Sequence, residues 1–81
     1  MNDKTVKDAF MEVVVSQLET GDPPETKATL ERLMAAGNSR GEALQLIAAV
    51  ARNEMQAMMA AGRQFDNARY AKLLAKLPQI D

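Results

Sequence analysis

The sequence predicts an all-α protein: a compact four-helix domain with a long third helix at its centre. Helix starts, helix stops and apolar spacing carry that expectation. Asp22-Pro23-Pro24-Glu25, Ser39-Arg40-Gly41-Glu42 and Phe65-Asp66-Asn67-Ala68-Arg69-Tyr70 each read as the start of a helix. Gly37, Gly62 and Pro78 read as stops. Between these marks apolar residues recur at helical spacing, and no segment is left over for a strand. The expected helices cover about 3–20, 23–36, 40–61 and 67–77 of a single domain spanning 1–81.

The first helix has Asn2 or Asp3 as its N-cap. Val6, Ala9, Phe10, Met11, Val13, Val14, Val15 and Leu18 cover well over half its circumference. That stripe is wider than a surface helix needs. Val13-Val14-Val15 is β-branched and competes locally for a strand, but helical spacing continues on both sides and no second strand exists to pair with it.

The second helix is expected to take Asp22 as its cap, Pro23 as its first residue and Glu25 as capping-box partner. Its apolar row of Leu30, Leu33 and Met34, with Thr26 on the same side, is narrow, as suits a helix packed on one neighbour. The third starts at the Ser39 cap with Glu42 as box partner. It is apolar around most of its girth, which predicts contact with all the others. In the fourth, Phe65 and Tyr70 flank the Asp66 cap with the spacing of a hydrophobic staple. Tyr70, Leu73, Leu74 and Leu77 form its core stripe, and Gln79-Ile80-Asp81 reads as a frayed tail.

Composition narrows the chemistry. The 81 residues carry a net charge of −1 and no His or Cys. A core of this size supplies no more than ~3–5 kcal/mol without help, and no disulfide or thiolate metal site can add to it. The near-neutral balance offers no global basic field for nucleic acid or an anionic membrane. No apolar run approaches the ~20 residues of a membrane span, and no signal-peptide core follows the first residues. A cytoplasmic location is the expectation.

Few residues suggest a reaction. Glu54 falls inside the apolar arc of the third helix, so it must be paired or hold its proton. It is a candidate buried acid, with Arg69, Arg32 and Lys27 as candidate partners. No histidine stands near any acid at metal-ligand spacing, and neither Ser16 nor Ser39 has a base. No metal, cofactor, small-molecule substrate or catalytic residue is therefore expected. Arg63, Arg69, Lys72 and Lys76 form a candidate basic edge along the fourth helix, for nucleic acid or an acidic partner. No aromatic residues are interleaved with it to stack bases. A helix-turn-helix reading fails because the would-be recognition helix is short of cations.

Two resemblances follow from particular residues. Leu33 through Leu44 is similar to the first helix, loop and second helix of ubiquitin-associated domains, whose loop carries Met-Gly-Phe or Met-Gly-Tyr. Here the loop reads Ala36-Gly37-Asn38, without the aromatic residue, and the shared features are a glycine stop and a capping box. Val13-Val14 through Gln17-Leu18, Asp22-Pro23-Pro24-Glu25-Thr26, Thr29 through Leu33, Gly37-x-Ser39-x-x-Glu42-Ala43, Leu46-Ile47-Ala48 and Phe65-Asp66-x-x-Arg69-Tyr70 through Leu77-Pro78 resemble a group of short bacterial helical proteins of unknown function. That resemblance implies the same all-helical domain and brings no activity with it.

The expected function is that of a small non-catalytic protein-interaction domain. Met11, Val15 and Leu18 on the first helix, with Leu46, Val50, Met58 and Met59 on the third, are the candidate interface. The partner is a second copy or another protein, with a homodimer the simplest version. Binding of nucleic acid or an acidic partner through the basic edge is the alternative.

Overall fold

In the computed structural model, residues 3–78 are described, with side chains from Ala9 onward. They form α1 (Asp3–Thr20), α2 (Pro24–Ala35), α3 (Arg40–Ala61) and α4 (Asn67–Lys76), with no strand among them. Asn2, the side chains of Asp3 and Val6, and the tail Gln79-Ile80-Asp81 lie outside what is described, and with them the expected N-cap and the apolar role of Val6.

The start of α2 differs from expectation. Pro23, not Asp22, is the N-cap, with φ −78° and ψ 151°, and Pro24 takes the first helical position. A residue preceding a proline is driven out of the helical region, so Pro23 cannot itself be helical. The Asp22 side chain makes no capping hydrogen bond, and the Thr26 amide donates to the Pro23 carbonyl at 3.2 Å. At the other end, the Gly37 amide donates to Met34 and the Asn38 amide to Leu33, at 3.1 and 3.0 Å. This paired closure requires the left-handed φ of 108° at Gly37.

The start of α3 is as expected. Ser39 Oγ accepts from the Glu42 amide at 3.1 Å, and Glu42 Oε1 accepts from the Ser39 amide at 2.8 Å. Gly62 ends it at φ 64°. On α4, Asp66 accepts from the Arg69 amide at 3.1 Å. The Phe65 and Tyr70 rings meet edge to face with centroids 5.2 Å apart, forming the staple. This helix stops one residue before the expected 77, because Leu77 precedes Pro78 and is extended at ψ 143°.

The core gathers Leu33, Ile47, Tyr70, Leu74 and Val14 from all four helices. As expected, α3 touches each of the others. So does α2, which was expected to have one neighbour. Thr26 is buried with Leu30 and Leu33 as expected, and buried Thr29 widens the face α2 presents. Met34, expected in that row, lies outside it and is 42% exposed. Arg32 spans from α2 to α4, donating to the Leu77 and Leu74 carbonyls at 2.9 and 3.0 Å. It thereby brings charged donors to the carbonyls at the C-terminal end of α4, where the Leu77 amide also donates to Leu74. The backbones of α1 and α4 do not meet, although both rest on α3.

Candidate functional site

Two local arrangements stand out, one charged and one apolar. The charged one is centred on Glu54, which has no solvent-accessible surface. The left-handed turn at Gly62 folds the chain back over α3, returning Arg63 to Glu54. Arg63 Nη1 donates to Glu54 Oε2 at 2.8 Å, and the Asp66 amide donates to the same oxygen at 3.3 Å. Arg69 Nε lies 3.0 Å from Oε1, as a charge contact without the alignment of a hydrogen bond.

The hydrogen bond from Arg63 holds the Glu54 carboxyl below the usual carboxylate range. Burial pushes the other way and is outweighed by that bond, the Asp66 amide and the charges of Arg63 and Arg69. Glu54 is thus an ionised strut between α3 and the start of α4, with no face open to a substrate. Of the three partners expected for it, Arg69 is present. Arg32 is engaged at the end of α4, and Lys27 points to solvent on α2. Arg63 was expected only on the basic edge. The stop signal at Gly62 is the one sequence feature that could have placed it beside Glu54.

That pairing divides the candidate basic edge. Arg63 and Arg69 are tied to Glu54, and Arg63 also donates to the Gln64 carbonyl at 3.0 Å. Lys72 and Lys76 are exposed on α4.

The apolar arrangement is a groove of about 350 Å³ over the C-terminal half of α3. It is lined by Met55 and Met58 of α3, Val13 and Gln17 of α1, and Phe65 and Asn67 around the start of α4. Asp22 and Pro23, between α1 and α2, complete the lining. Of the lining residues, Gln17 accepts at Oε1 from Thr26 Oγ1 at 2.9 Å and from Tyr70 Oη at 3.0 Å. Tyr70 is fully buried, and burial raises its phenol pKa. Gln17 therefore joins α1, α2 and α4 where the α1 and α4 backbones stand apart. Nothing in the residue pattern singles out Gln17 for this role.

The expected interface residues divide three ways. Val15 and Met59 are open to solvent, 38% and 75% exposed. Met11, Leu18, Leu46 and Met58 are half-buried, with Leu18 and Leu46 packed against the core. Val50 is a correction. It is only 5% exposed and belongs to the core, because its side of α3 faces the core formed with α2 and α4. The groove joins Met58 to Val13, Met55 and Phe65, none of which stood among the candidates.

Among the described residues no cluster of three or more acidic side chains could hold a metal ion, and no helix is long and apolar enough to cross a membrane. Compared with protein-family models, curated proteins and solved structures, the chain has no significant match.

Proposed function

We propose that this chain is a small non-catalytic interaction domain that buries apolar surface against a protein partner. The observation that carries the reading is the uncovered groove lined by Met55 and Met58 of α3 together with residues of α1 and the start of α4. Exposed Met59 on α3 and Val15 on α1 add further uncovered apolar surface. Methionine suits such a surface, because its unbranched thioether side chain adapts to differently shaped partners. The groove is favoured over the basic edge because two of the four edge cations, Arg63 and Arg69, are already engaged by Glu54. The cysteine-free composition suits a cytoplasmic setting.

Sedimentation equilibrium over the micromolar range, combined with titration of neutral amphipathic helical peptides, tests the reading. A mass that rises with concentration identifies a second copy as the partner. A constant monomer mass with peptide-induced shifts at Met55, Met58 and Phe65 identifies another protein. A monomer that takes no amphipathic peptide overturns the reading.

A further inference from the structure

Beyond the closing turn at Gly62, the polar ties that α3 makes with the chain following it all run, among the described residues, through one carboxylate. Arg63, Asp66 and Arg69, each three residues apart, converge on Glu54. The Arg63 guanidinium and the Asp66 amide donate to Oε2, and the Arg69 guanidinium lies beside Oε1. The Asp66 carboxylate adds its charge beside Arg63, and neither α1 nor α2 brings an ion pair to Glu54 among the described residues.

This segment has little else to hold it. Residues 63–66 are not helical, and the amides of residues 64–66 donate one hydrogen bond among the described residues, from Asp66 to Glu54. Arg63 and Phe65 are half-buried, and every other residue from 62 to 69 is exposed. The rest of α4 is fixed by contacts in which Glu54 has no part. Tyr70, Leu74 and Leu77 are buried in the core, and the Tyr70 hydroxyl donates to Gln17. Arg32 holds the Leu74 and Leu77 carbonyls at the far end.

A stretch with little burial and few backbone hydrogen bonds opens at lower cost than the core it rests on. Gly62, left-handed and with open space around it, supplies a hinge at one end. At the other end the Arg69 and Tyr70 amides both donate to Asp66, so the first turn of α4 loosens when Asp66 leaves Glu54. We propose that residues 63–69 form a latch closed by the Glu54 carboxylate, which opens from α3 as a unit while Tyr70 to Leu77 stay docked. Opening gives up the bonds to Glu54 and the edge-to-face contact of Phe65 with Tyr70. It also takes Phe65 and Asn67 out of the groove lining and exposes Met55 and Met58 further. The latch goes beyond the interaction reading and holds whether or not a partner occupies the groove.

Native-state hydrogen exchange of the whole protein in sub-denaturing urea tests this, with rates corrected for intrinsic exchange. In the parent, the amides of Asp66, Arg69 and Tyr70 should exchange at least tenfold faster than those of Ala51 and Leu74, with little dependence on urea. Ala43→Gly weakens the buried start of α3, eleven residues and about 16 Å along the helix from Glu54. It should speed Ala51 and Leu74 and leave the three latch amides unchanged. Glu54→Gln and Arg63→Gln should each speed the latch amides roughly tenfold or more, the effect of losing one charge-assisted hydrogen bond. Arg63→Gln leaves Glu54 beside Arg69, so it gives a reading even where Glu54→Gln does not fold.

Latch amides that match Ala51 in corrected rate and urea dependence overturn the proposal, because the segment then opens only with the whole fold. Equal acceleration of latch and core amides by Ala43→Gly does the same. Exchange of Leu74 together with the latch amides overturns it by showing that α4 leaves as a whole. Latch exchange that is unaltered in Arg63→Gln, and in Glu54→Gln where that variant folds, removes Glu54 as the closure.

Discussion

Glu54 is a carboxylate that the core would reject without its two guanidinium neighbours. Burying an unpaired charge costs several kcal/mol, and pairing it offsets the cost only when good hydrogen bonds accompany the charge. Here the Arg63 hydrogen bond and the Asp66 amide supply those bonds. The lowered pKa gives the direction of the pH effect. The folded state prefers the ionised form, so the stabilisation is present above the ordinary carboxylate pKa and is lost as pH falls through the lower folded value. Glu54→Gln should lower Tm at neutral pH. The gap to the parent protein should shrink as pH falls below the ordinary carboxylate range, because protonated glutamate and glutamine then resemble each other. Circular-dichroism melts across that pH range check this, and a pH-independent gap would remove the ionised strut from the account. The misfit of Glu54 was legible in the sequence from its place in an apolar arc. Its partners were only partly legible, since Arg63 arrives by a backbone turn and not by helical spacing.

At the level of the element, the helices follow their caps. Ser39 with Glu42, Asp66 with its staple, and the glycines at positions 37 and 62 act within a few residues of themselves, so their effect can be read without knowing the fold. The exception is the start of α2, where consecutive prolines moved the cap by one residue and released Asp22. Two glycine substitutions should separate backbone effects from packing. Gly62 sits at φ 64° and ψ 35°, and a Cβ there would meet nothing within 4 Å. Gly62→Ala should therefore cost about 1 kcal/mol through backbone strain alone. Gly41 lies in the first turn of α3 with equally open space, so Gly41→Ala should stabilise by roughly 0.5 kcal/mol. Urea unfolding of both variants checks the opposite signs.

For the whole molecule, the decisive question is which apolar residues the four helices manage to cover. Val50 lies in the core and Met59 does not, although both are apolar residues of the same helix. Val50→Ala should cost roughly 2 kcal/mol by opening a cavity. Met59→Lys should leave stability within about 0.5 kcal/mol of the parent, since the residue is already in solvent. Denaturant midpoints of the two variants, read with unchanged slopes, make the comparison. The residue pattern by itself determined an all-α chain, the helix bounds to within a residue, and an excess of apolar surface on α1 and α3. Those features depend on neighbours three or four positions apart. Only the tertiary structure decided that Arg63 folds back onto Glu54, that Gln17 links three helices, and that the uncovered surface lies in a groove beside Asp22. Each of these depends on how helices cross and which backbones stay apart, and the packing of residues distant in the chain sets that.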